Sequence, residues 1–163
     1  MHYRACVVGF GWLAFSLMAC VPAEERAAAE REAVHERLEE YLPALGEAYR
    51  TRDFEPLSEW ASQKEVATVR RRVYDLQERG RELHPRFRSV EVERVTIPGH
   101  SNAYVTTREI WDLRVYALGT DTVLSESLGQ VSRVQYQLLR GSEGRWVVIA
   151  RSVETILEDA SGI

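Results

Sequence analysis

The sequence predicts an α+β fold, with N-terminal helices packed on a curved antiparallel sheet of about four strands. Apolar residues recur every three or four positions up to His84-Pro85, and every second position from Arg86 onward. Helices therefore come first and strands follow, joined by short clusters of turn-forming residues. That order places the helices together on one face of a sheet. A curved sheet closed on one side by helices makes a cone, and its open end is a natural pocket.

The chain has 163 residues, the size of one domain. With 45% hydrophobic and 28% charged residues it has the balance of a globular protein rather than a disordered one. The formal net charge is −4, and all the acidic residues lie beyond position 19. This mild acidity argues against nucleic acid as a partner. Cys6 and Cys20 are the two cysteines, so the region after Cys20 contains neither thiol nor disulfide.

Four segments follow. Residues 1–19 combine a short basic start, Arg4, with an uncharged apolar run from Ala5 to Ala19. That run is long enough for a secretory signal and short for a membrane span. It ends in Leu17-Met18-Ala19-Cys20, which resembles a bacterial lipobox. The resemblance implies cleavage before Cys20, lipidation of its sulfur and anchorage at the membrane. With Val21 rather than Asp after the cysteine, it also implies the outer membrane in a two-membrane cell. An ordinary cleaved signal, an uncleaved anchor and a buried first helix remain open. Residues 20–33 then form a helix-prone stalk, residues 34–154 the cone-shaped domain, and residues 155–163 a weakly structured tail.

Within the domain, Val34, Leu38, Tyr41, Leu45 and Ala48 form a core-facing helical stripe. Pro43 is expected to kink or split that helix near Tyr41-Leu42. Asp53 is a candidate N-cap for a short second helix carrying Phe54, Leu57 and Trp60. Ser62-Gln-Lys-Glu65 reads as a capping box for a third, with a stripe at Val66, Val69, Val73, Leu76 and Leu83. Arg70-Arg71-Arg72 lies on that helix as a solvated flank. The helical half is expected to end at His84-Pro85.

The first strand spans Phe87 to Ile97. Its apolar phase slips between Val90/Val92 and Val95/Ile97, which signals a bulge. After the turn at Pro98 to Asn102, Ala103 to Leu118 forms a long strand in one apolar phase. Leu124 to Gln130 is ambiguous. Val131 to Arg140 is the third strand and Arg145 to Val153 the fourth, joined by a hairpin at Gly141 to Gly144.

Ala48-Tyr49-Arg-Thr-Arg-Asp53-Phe54, Trp111, Tyr136-Gln-Leu138-Leu-Arg140 and Gly144-Arg145-Trp146-Val147-Val148 together resemble the nuclear-transport-factor-like superfamily. That superfamily includes ketosteroid-isomerase-like and SnoaL-like domains. The order of elements is similar to the variant found in chloroplast-division intermembrane-space domains. The resemblance implies a cone closed by Trp146. Fold alone does not give function.

Strand parity offers one candidate for chemistry. Glu109 and Thr107 share the phase of Val105 and Trp111, so both are expected to point into the cone. An inward carboxylate in an apolar pocket is the group a general base requires, and the superfamily's isomerases use a carboxylate base on the sheet. The alternative is that Glu109 is paired, with Arg151 as a partner in phase with Val147, Ile149 and Val153. Tyr49, Tyr104, Thr107, Trp111, Tyr136 and Trp146 are the candidate pocket lining. His35, His84 and His100 match no metal spacing, and His35-Glu36-Arg37 lacks the second histidine of a helical zinc motif. Gly141-Ser142-Glu143-Gly144 is no nucleophile elbow. No cofactor motif is present.

Three functions are compatible with this reading. One is a lipid-anchored binding or scaffold module for a small apolar ligand or a partner protein. Another is an isomerase- or dehydratase-type enzyme with Glu109 as base. The third is a structural accessory that forms a homodimer through its open sheet face.

Overall fold

A computed structural model describes residues 23–159. The expected signal segment and Cys20 lie outside the described residues. Two α-helices and one 3-10 turn precede four strands: α1 (Ala23–Thr51), the turn (Pro56–Glu59), α2 (Gln63–Glu78), β1 (Arg81–Thr96), β2 (Asn102–Ala117), β3 (Val123–Arg140) and β4 (Trp146–Asp159). The strands form one antiparallel sheet in the order β1-β2-β3-β4, open at both edges. The predicted fold class holds.

Residues 23–33 are the first turns of α1, so the described part of the stalk and the expected stripe form one unbroken helix. Val34, Leu38, Tyr41, Leu42, Leu45 and Ala48 are buried along its inner side. Pro43 does not split it. The carbonyl that Pro43 leaves unbonded belongs to Glu39, and both residues are exposed, so water can satisfy it. Gly46 allows a close approach to the sheet: a Cβ at this position would lie 3.0 Å from the Pro85 carbonyl oxygen.

The expected second helix is a single 3-10 turn that buries Leu57. Asp53 does not cap it directly. Its Oδ1 accepts from the Glu55 N–H at 3.1 Å, steering the chain into the turn from two residues upstream. Ser62 does cap α2, accepting from the Glu65 N–H at 3.3 Å. The Glu65 side chain turns inward instead of completing the box.

The helical half ends earlier than its apolar stripe suggests. Gly80, at φ 69°, terminates α2, and the chain enters β1 at once. Leu83 therefore belongs to a strand, and Pro85 sits within β1 opposite Leu113. An edge strand tolerates this proline because its missing N–H can face away from the ladder. β1 carries the expected bulge, between Val92 and Arg94, and a second between Phe87 and Ser89.

β3 starts eight residues before Val131, pairing along the far end of β2. Gly129 (φ 66°) bends it, with its N–H donating to Asp112 Oδ1 at 2.9 Å. β4 continues past Val153 to Asp159 where a weakly structured tail was expected. It does so through register shifts at three places along β3, each adding curvature. The core lies between the concave face of this sheet and the two helices. Ser62 N–H to Val148 O (2.8 Å) and Val148 N–H to Trp60 O (3.0 Å) fasten the start of α2 to β4.

Candidate functional site

Glu109 points into the cone, as parity predicts, and is fully buried. Four donors converge on it. Thr107 Oγ1 (3.0 Å) and the Tyr136 hydroxyl (2.5 Å) donate to Oε1. Trp111 Nε1 (2.8 Å) and Arg151 Nη2 (3.2 Å) donate to Oε2. An ionised carboxylate has about four lone-pair sites, and here each oxygen accepts two bonds. Arg151 Nε also donates to the Tyr136 hydroxyl at 3.0 Å, so the tyrosine relays between the charged pair.

Burial alone would lower the Arg151 pKa, but the neighbouring Tyr136 and Glu109 outweigh it and raise it. Burial also drives the Tyr136 pKa well above the ordinary phenol value, reinforced by Glu109 and opposed by Arg151. Both residues keep their protons at physiological pH, Arg151 charged and Tyr136 neutral.

Arg151 reaches this position for a different reason from the expected one. Trp146 and Val148 are the inward residues at the start of β4. Val147 is on the other phase. Gln137 pairs with Ala150 and Leu138 with Val148, so Ile149 is an extra residue in the ladder. This bulge resets the alternation and turns Arg151 inward.

A second buried carboxylate, Glu65, is 3% exposed and accepts from the Tyr41 hydroxyl at 3.2 Å. Burial raises its pKa, against the opposing influence of Tyr41, Arg72 and Arg151. Tyr41 stacks edge-on against Tyr136, ring centroids 6.1 Å apart, so the two carboxylate clusters are contiguous. Sequence reasoning read Tyr41 as stripe and Glu65 as cap. The signal lay in a glutamate on the inner face of an amphipathic helix, one residue before Val66.

Beside the Glu109 cluster is a cavity of about 180 Å³ between α1 and the sheet. Leu45, Leu83, Pro85, Leu113 and Val153 give it apolar walls. Tyr49, Trp111, Gln130, Ser132 and Arg151 add polar atoms. Of the candidate lining residues, Tyr49 and Trp111 lie on the cavity wall, while Thr107 and Tyr136 sit behind it in the hydrogen-bonded cluster.

Two expected lining residues are elsewhere. Tyr104 is 48% exposed on the outer face, because its neighbours Ala103 and Val105 take the inward phase. Trp146 is packed in the core beneath the Arg140 guanidinium, 4.7 Å from its ring centroid, and does not reach the cavity wall. Among the described residues no three His, Cys, Asp or Glu side chains converge as a metal site. No helix among them is long and apolar enough to cross a membrane.

No family model matches this chain, and no curated protein matches it either. Solved structures do. The intermembrane space region of the chloroplast protein ARC6 is similar with a TM-score of 0.63 and 14% identity, over 75% of this chain and 94% of that one. A periplasmic fragment of TraM gives 0.50 and 12%, over 76% and 96%. A protein from Catenulispora acidiphila gives 0.50 and 16%, over 80% and 94%. At these identities the likeness shows the fold alone: helices packed on an open, curved antiparallel sheet.

Proposed function

We propose that this chain is a membrane-anchored, extracytoplasmic binding module whose cone holds a small apolar ligand. The observation that carries the reading is the apolar cavity beside a carboxylate whose lone pairs are all engaged. A general base needs a free lone pair within reach of a substrate proton. Glu109 offers none to the cavity, and taking up a proton would break a buried ion pair. The signal-like leader and Leu17-Met18-Ala19-Cys20 supply the anchor in this reading. The periplasmic and intermembrane-space origins of two similar folds agree with such an address.

The ligand is favoured over a second copy of the chain as occupant. The outer sheet face carries cross-strand ion pairs, Arg133 with Glu93 at 2.8 Å and Arg108 with Glu91 at 3.9 Å. Such a ladder is well solvated and would have to be stripped of water to form a dry dimer interface.

Native mass spectrometry of the protein purified from its own host tests both halves. The expected spectrum shows the chain starting at Cys20 with acyl mass added, and a bound small molecule released on activation. Normal membrane retention of a Cys20→Ala variant would remove the anchor. A substrate turned over by the wild type, bound equally by Glu109→Gln but not turned over by it, would replace the binding module with an enzyme.

A further inference from the structure

We infer that the cavity selects an uncharged molecule of single-ring size bearing a carbonyl-type oxygen, and that Arg151 Nη1 binds that oxygen. This rests on the binding reading above and names the ligand class for the same site.

Size comes first. A cavity of about 150 Å³ is known to take up benzene, and this one is about 180 Å³. One ring with a short substituent fills it.

The polar requirement comes from the geometry of the arginine. A guanidinium presents its donors in a fixed planar fork. Nε and Nη2 share one edge of that fork, which is committed to Tyr136 and Glu109. Nη1 lies on the other side, has no hydrogen-bond partner among the described residues, and belongs to a side chain on the cavity wall. A ligand that is purely hydrocarbon would leave this cationic donor covered and unsatisfied. A ligand with an acceptor at that end would not.

Charge decides which acceptor. Glu109 already balances Arg151 at 3.2 Å, so the enclosed pair is neutral. A ligand carboxylate would leave a net negative charge in a region where Glu65 is also buried. Arg72, which acts on Tyr49 and Glu65, is an exposed residue of α2 outside the lining, and no second cation lines the cavity itself. Burying an uncompensated charge is far more costly than burying a hydrogen-bonded neutral group. A ketone, ester or amide oxygen accepts from Nη1 without that penalty. Gln130 and Ser132 line the same space and can serve a second polar atom on the ligand.

Calorimetric titration of the full-length protein in nanodiscs, against empty nanodiscs, tests this with toluene, acetophenone and benzoate as probes. Acetophenone is expected to bind at least tenfold tighter than toluene, the order of a hydrogen bond to a charged donor. Benzoate is expected to bind more weakly than acetophenone. In the charge-balanced variant Arg151→Met/Glu109→Gln the preference for acetophenone over toluene should shrink to less than threefold. Leu113→Trp, which fills the cavity and removes no member of the buried network, should abolish binding of all three.

Equal binding of toluene and acetophenone by the wild type would overturn the inference and leave an apolar binding module standing. Benzoate binding tightest would overturn the charge argument. Acetophenone bound undiminished by Leu113→Trp would place the site elsewhere. Failure of every probe to bind would remove the binding reading itself.

Discussion

Arg151 Nη2 and Glu109 Oε2 meet at 3.2 Å although they are 42 residues apart and sit on strands that do not pair with each other. β3 lies between β4 and β2, and its Tyr136 hydroxyl bonds to both partners. The contact therefore clamps three strands across the concave face, and its geometry reports whether the sheet is correctly curved.

Removing either partner alone leaves a buried charge without its counter-ion. Arg151→Met is expected to destabilise the fold by about 3–5 kcal/mol. Arg151→Met/Glu109→Gln should recover most of that loss. With the arginine gone, the amide can donate to the Thr107 and Tyr136 hydroxyls and accept from Trp111. Urea unfolding of the two single variants and the double closes the cycle. Additive losses would mean that the pair is not the coupled unit described here.

Glu65 makes stability depend on pH in a definite direction. Its place in the first turn of α2 favours the charge, yet burial wins and raises its pKa above the ordinary 4.5. Between that value and the raised folded one, the folded state keeps a proton that the unfolded chain has released. Stability must therefore fall as pH rises through this window. Glu65→Gln preserves an acceptor for Tyr41 and removes the titration. Its urea midpoint should exceed the wild type's at pH 7.5, and the difference should shrink towards zero as the pH is lowered to 4. A constant difference at both pH values would show that folding does not shift the Glu65 pKa.

Much of the architecture was legible because its signals are periodic. The inward phase of Ala103, Val105, Thr107, Glu109 and Trp111 follows from alternation alone, and the burial of Glu109 came with it. The three-residue gaps from Phe87 to Val90 and from Val92 to Val95 mark both bulges of β1, though only the second was read. What alternation cannot show is a reset of phase. Ile149 reverses the inward set of β4 without any glycine or proline to announce it. The early part of β3 hid for another reason. Val123, Leu124 and Leu128 are all exposed, so no buried side imposed a pattern. Pro85 concealed the start of β1 because proline reads as a break unless the strand is known to be an edge.

Gly46 sits where α1 packs closely on the sheet. A Cβ there would meet the Pro85 carbonyl oxygen at 3.0 Å and the Trp111 ring at 3.5 Å. Pro85 contributes backbone, which cannot rotate away as a side chain does. Gly46→Val is therefore expected to cost roughly 1–3 kcal/mol by overpacking, despite the usual preference for any side chain over glycine in a helix. Thermal unfolding gives the sign. A raised midpoint would mean that α1 can draw back from β1 freely.

The bulge at Ile149 makes the strongest demand on the structure, because the residue acts through another one. Deleting Ile149 removes the bulge but leaves Ala150 opposite Gln137 and Arg151 opposite Tyr136, so Arg151 stays on the inner phase. That deletion is expected to cost only what is lost in curvature and in the contacts of one half-buried isoleucine, about 1 kcal/mol. Deleting Ile149 and Ala150 together instead sets Arg151 opposite Gln137 on the outer phase, and Glu109 loses its cation. In the wild-type background the double deletion should cost at least as much as Arg151→Met, about 3–5 kcal/mol. In the Arg151→Met/Glu109→Gln background no charge remains to be stranded, and the double deletion should cost markedly less. Urea unfolding of both deletions in both backgrounds separates aim from shape. Equal losses from the double deletion in the two backgrounds would mean that the phase of β4 does not set the position of Arg151.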